Sequence, residues 1–230
     1  MTIQSNRFFS LLLKAFRRVG YFFERLKLNL QVNELGQGAK VLSGVLISGG
    51  RNITIGKDCF IGRNVVLDSS GGIIRIGDKV EIRDNTRIYG RDIQIGSGVT
   101  LGEGVMLKGF IHIAAGAWLS RGCDLEGKVS VAKAILGPYT SCIGGGDHAR
   151  DASNGAFLMN SISEHSSDGA ISIEEGCWTG TRSILLKNVI LARNTAVGAG
   201  AVVTKSFPAG SILTGVPAIP RLTQSGNGAI

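Results

Sequence analysis

Aromatic residues make up only 6% of this 230-residue chain, and charged residues only 18%. An ordinary helical domain would be richer in Leu, Glu and Lys. Proline is scarce, with four residues, and the glycines follow no Gly-X-Y period, which excludes collagen and proline-rich linkers. No stretch approaches the roughly 18 apolar residues of a membrane span. Lys14, Arg17 and Arg18 also interrupt any signal-peptide core. The four cysteines (Cys59, Cys123, Cys142 and Cys177) form no CxxC pair and read as small, buried, reduced hydrophobes of a cytoplasmic protein. What the chain has instead is 34 glycines and 43% hydrophobic residues, with a mean hydropathy of +0.21. Global disorder is excluded, and a core of branched aliphatics turned at short intervals is expected.

A net charge of +8 invites a nucleic-acid reading, but its distribution opposes one. Residues 1–30 hold Arg7, Lys14, Arg17, Arg18, Arg25 and Lys27 against the single acid Glu24, which is +5 of the total. The other 200 residues carry only +3, without a basic stripe interleaved with aromatics. No nucleic-acid partner is expected. Within residues 6–30, Phe8, Leu12, Phe16, Val19, Phe23, Leu26 and Leu30 recur at steps of four and three. They share one helical face, and most of the basic residues project from the other side. Such a helix suits either packing on protein or peripheral contact with an anionic membrane, at the inner face of a cell.

The dominant signal is a repeat. The pattern Ile53-Thr54-Ile55-Gly56 recurs at Ile74-Arg75-Ile76-Gly77, Ile93-Gln94-Ile95-Gly96, Ile111-His112-Ile113-Ala114, Val129-Ser130-Val131-Ala132, Ile171-Ser172-Ile173-Glu174 and Val189-Ile190-Leu191-Ala192. Its basic step is 18 residues, or three units of six, and single units such as Ile61-Gly62-Arg63-Asn64-Val65-Val66 follow one another directly. An aliphatic residue at position one and a small or branched one at position five face inward. A small residue at position two is expected to permit the turn between flat faces. Three units then close one coil, and stacked coils pair their backbones in parallel. An all-β solenoid covering about 45–215 follows.

The pattern resembles the hexapeptide-repeat acyltransferases, and the left-handed parallel β-helix is what that resemblance implies. One step of 42 residues breaks the rhythm, so about 24 residues are inserted between Cys142 and Ala170. The insertion opens Gly144-Gly145-Gly146-Asp147-His148 and carries no repeat. Insertions that leave a solenoid are where function concentrates. After it come Gly176-Cys177-Trp178-Thr179-Gly180-Thr181, then Ala196-Val197-Gly198-Ala199-Gly200-Ala201-Val202-Val203-Thr204-Lys205, and finally Gly215-Val216-Pro217-Ala218. These tracts resemble the coenzyme-A-dependent sugar O-acetyltransferases of the galactoside/maltose and capsule or O-antigen branch.

That resemblance implies acetyl-CoA as donor, a sugar or glycan acceptor, no required metal, and a homotrimer with sites between subunits. His148 becomes the general base, with Asp147 or Asp151 fixing its imidazole. Trp178, Gly180 and Thr181 line the pantetheine groove, Ala199 offers a backbone N–H, and Thr204 and Lys205 meet the phosphate end. His165 is the reserve base, and His112 reads as an outward surface residue. Val216, Ile219 and Thr179 depart from the usual pattern and bear on the phosphate contacts. The expected organisation is a basic amphipathic helical segment over 1–32, the β-helix over 33–220 with its insertion at about 144–170, and a flexible tail over 221–230. Rival readings are N-acetylation of a nucleotide-linked amino sugar, a non-catalytic scaffold, and a three-histidine zinc enzyme.

Overall fold

The computed structural model describes residues 19–145, 148–151, 153–154, 156–162 and 169–221. It is a left-handed parallel β-helix of three-sided coils. One face stacks Lys40–Val41, Phe60–Ile61, Glu81–Ile82, Thr100–Leu101, Trp118–Leu119, Ile135–Leu136, Trp178–Thr179, Ala196–Val197 and Ile212–Thr214. A second face begins at Leu46–Ser48 and ends at Val202–Val203, and a third runs from Glu34–Leu35 to Ile190–Leu191. Three long strands, Arg87–Ile95, Met106–Ile113 and Asp124–Val131, run around the edge between the second and third faces. Those two faces therefore share one hydrogen-bonded sheet. Ile219–Pro220 folds back antiparallel on Ile212–Thr214 to close the stack.

The alternation read from the sequence sets the core. Val41, Ile61, Ile82, Leu101, Leu119, Leu136, Val197 and Leu213 form one inward column, all fully buried. All four cysteines are buried and free, as the sequence indicated. Burial pushes the Cys123 thiol up to about 12, so it is an inert apolar filler. Thr179 occupies the same inward column at 0% exposure. Its Oγ1 accepts the Gly137 N–H at 3.0 Å and lies 2.8 Å from Thr140 Oγ1. The departure at Thr179 is thus an interior substitution with its hydroxyl satisfied, facing the core and not an outer surface.

The structure divides the two glycine roles differently from the expectation. Position two is where coils approach closely: a Cβ on Gly62 would sit 2.6 Å from Asp84 N, and one on Gly102 2.5 Å from Arg121 N. The turn itself is made at position four, by Asn64 at φ 54° and Gly104 at φ 67°. Only Gly, Asn and Asp enter that left-handed region readily.

A helix over 19–31 caps the first coil. Leu28 and Val32 are buried against the solenoid, and the Gln31 carbonyl presses on Gly50. Residues 1–18 lie outside the described residues, as does the tail beyond Arg221. The insertion, expected as a loop, contains an antiparallel pair, His148–Arg150 with Phe157–Ile162.

Position two and the inward columns can be tested together. Leu119→Ala should cost about 2–5 kcal/mol by leaving a cavity in a fully buried column. Gly102→Ala should cost about 1–3 kcal/mol by forcing two coils apart. Gly104→Asn, at an open position that Asn tolerates, should stay within about 0.5 kcal/mol. Equilibrium denaturant unfolding ranks the three, and a neutral Gly102→Ala would refute the close-approach account.

Candidate active site

The insertion is an arm that leaves the solenoid along one edge. After Ser141–Ile143 on the second face, Gly144 turns outward, and Gly169 returns the chain to Ala170–Ile173 on the third. The two ends meet: a Cβ on Gly169 would lie 3.2 Å from the Gly144 carbonyl oxygen. Below them Gly127 has φ 93°, and a Cβ there would lie 2.6 Å from Gly144 C. Only glycine lets both ends of the arm leave through so narrow an edge.

Two side-chain bonds shape the tip of the arm. Asp151 Oδ1 accepts the Ser153 N–H at 2.8 Å and the Ser153 hydroxyl at 2.5 Å. Asn154 Oδ1 accepts the Ala156 N–H at 2.8 Å. The Ser153 bonds, side chain first, hold the Asp151 carboxyl below its usual range. Asp151 therefore shapes the turn. His148 begins the outgoing strand, its backbone opposite Ile162. Asp147 and His165 lie outside the described residues.

The predicted coenzyme residues fall on two different edges. Trp178 points outward from the first face and is 45% exposed. Gly180, Thr181 and Ala199 follow at the edge between the first and second faces. Gly180 is buried against Ala199, where a Cβ would lie 2.5 Å from Ala199 N. That N–H has no partner among the described residues. Thr204 and Lys205 are exposed at the edge between the second and third faces, the edge of the arm, with Lys205 Nζ 5.6 Å from the Phe207 ring centre. In a three-sided prism the arm's edge lies across from the first face. The body of the solenoid thus stands between the root of the arm and Trp178.

Several features around these residues were not singled out from the sequence. Trp118, Ile135 and Trp178 stand in register on the outer side of the first face, forming an exposed apolar column. Their shared position after Ala117, Ala134 and Cys177 was the available signal. At the adjoining edge Tyr139 adopts φ 59° and lies between Arg121 and Arg182, each guanidinium 5.9 Å from its ring centre. On the second face, below the arm, Asp124 is half-buried and its carboxyl is pushed up, first by burial and then by the Glu126 charge. Lys108 offsets this in part while pairing with Glu126 at 2.6 Å.

His112 points outward, as expected, and lines two clefts on the third face. One is a groove of about 820 Å³ along Arg75, Gln94, His112, Ser130, Ser172 and Arg193. The other, of about 270 Å³, includes Phe110, Lys128 and Ala170 at the root of the arm. Among the described residues, no three His, Cys, Asp or Glu side chains are placed to hold a metal ion.

Comparison with known proteins places the repeat. A family model described as the hexapeptide repeat of succinyl-transferase matches residues 52–89 and 170–205. The bifunctional protein GlmU of Synechococcus sp. (strain CC9311) is 26% identical over 122 residues, covering 51% of this chain and 26% of that protein. The chain therefore spans about a quarter of that relative's length. Among solved structures, a mutant of AntD, an N-acyltransferase from Bacillus cereus, in complex with dTDP-4-amino-4,6-dideoxyglucose and coenzyme A, is 20% identical. It covers 86% of each chain with a TM-score of 0.48. The polySia-specific acetyltransferase NeuO is 18% identical and covers 85% of this chain and 90% of its own, with a TM-score of 0.44. The two matched stretches lie within the coils of the left-handed β-helix, which is the fold this chain adopts.

Proposed function

We propose that the chain is an acetyl-CoA-dependent O-acetyltransferase acting on a sugar hydroxyl of a cell-surface polysaccharide or its lipid-linked precursor. The observation that carries this reading is the unpartnered Ala199 N–H beside Gly180, one step around the coil from the exposed Trp178. A flat apolar side chain and a free backbone donor at one edge suit the amide-rich, extended pantetheine arm of coenzyme A. Lys205 and Thr204 supply a cation and a hydroxyl for its phosphates.

The chemistry asks little of the protein, because the thioester is already activated. His148 takes the proton of the acceptor hydroxyl as the oxygen attacks the thioester carbon. The tetrahedral intermediate then collapses, the C–S bond breaks, and the proton passes to the departing thiolate. The products are the acetyl ester and free coenzyme A. Asp147, next to His148 in sequence, is the carboxylate best suited to orient the imidazole, since Asp151 is taken up by Ser153. The prism separates the arm's root from Trp178 within one chain, which supports a site shared between copies, and a homotrimer is the proposed assembly.

His148→Ala should lower kcat at least about 100-fold while the Kd for acetyl-CoA changes only a few-fold. His165→Ala should keep activity. The reverse pattern in a coenzyme A release assay, run with neutral sugars and amino sugars as acceptors, would move the base to His165. Turnover of amino sugars alone would replace O- by N-acetylation.

Trp178→Ala and Lys205→Ala should each raise the KM for acetyl-CoA. The lysine effect should shrink as salt rises, because its contribution is electrostatic. Unchanged coenzyme binding in both variants, measured by calorimetry, would remove the groove assignment.

A further inference from the structure

The helix over 19–31 carries far more apolar surface than its contact with the solenoid uses. At about 100° per residue, Val19, Leu26 and Leu30 point within about 20° of the direction opposite Leu28, with Phe22 and Phe23 on either side. Burial follows that geometry. Leu28 is 2% exposed, whereas Phe22, Phe23, Leu26 and Leu30 are 61%, 62%, 46% and 79% exposed. The Phe22 and Phe23 rings meet edge to face with centres 5.8 Å apart, so the stripe is continuous. The same spacing continues upstream in the sequence at Phe16, Leu12 and Phe8.

We infer that this stripe is a docking surface for an anionic lipid bilayer. Charge selects the occupant. Residues 1–30 carry +5 of the chain's +8, so stripe-to-stripe packing between copies would gather like charges, whereas an anionic surface attracts them. Lys27 flanks the stripe on the described helix and is exposed. No described helix is long and apolar enough to cross a membrane, so the helix lies in the plane of the interface with its stripe immersed. The first coil is then held at the surface. The root of the arm lies five coils further on, about 24 Å along the solenoid axis at one inter-strand spacing per coil. That distance suits a glycan chain rising from the bilayer. The docking itself does not depend on the acyl-transfer reading.

Sedimentation of the full-length protein with phosphatidylcholine vesicles, with and without phosphatidylglycerol, tests the inference directly. The protein should pellet with the phosphatidylglycerol vesicles, and less so as salt rises. The double variant Phe22→Ser/Phe23→Ser should bind at least about tenfold more weakly with its mass by light scattering unchanged. Lys27→Glu should weaken binding to the anionic vesicles only. A wild-type protein that stays in the supernatant, or a double variant that falls to a smaller oligomer, would overturn the inference. The second result would assign the stripe to packing between copies. Coenzyme A release with a soluble acceptor reports separately on the catalytic reading, so failure of one can be told from failure of the other.

Discussion

Every strand among the described residues is two to nine residues long, and almost none would persist alone. What holds them is the parallel backbone ladder between successive coils, which requires each coil to lie one inter-strand spacing from the next. That spacing dictates the rest. It calls for glycine at position two of particular coils, where Gly62 and Gly102 leave no room for a Cβ. It also aligns like positions into columns, so one inward aliphatic per unit becomes a continuous core. A polar residue in such a column must bring its own partners, as Thr179 does with Gly137 and Thr140.

The same constraint explains how a solenoid hosts a site. A coil has no spare volume, so chemistry must be carried on outward positions or outside the stack. The arm leaves where Gly127, Gly144 and Gly169 allow two chain segments to pass one edge. Its tip is stabilised locally by Asp151 and Asn154, independently of the coils. Because coils are three-sided, residues spaced by about six along the chain point in different directions. Trp178 and Lys205, a coil and a half apart in sequence, sit on a face and on the edge opposite it.

Much of the fold was legible from residues alone. The six-residue period, the 18-residue coil and the interrupting insertion were all visible, because inward positions tolerate only aliphatic or small residues. His112 was read as outward from its place between Ile111 and Ile113, and it is. The role of position four was not legible. Gly, Asn, Asp, Lys, Tyr and Arg all occupy it, and only the backbone angles reveal a common left-handed turn. The pairing within the arm was also missed, since His148–Arg150 and Phe157–Ile162 show no clean alternation and are joined through a turn set by side-chain bonds.

The sequence by itself determined the coil, the core columns and the place where the chain leaves the stack, because these follow from a local period repeated many times. Only the tertiary structure decided which outward residues share a surface, because that depends on register between coils rather than on distance along the chain. Register gathered Trp118, Ile135 and Trp178 into one column, and it set Tyr139 between Arg121 and Arg182. It also decided that the helix over 19–31 docks through Leu28 and leaves Phe22 and Phe23 facing outward, a choice that amphipathic periodicity leaves open because a helix shows an apolar face to whichever partner is nearest.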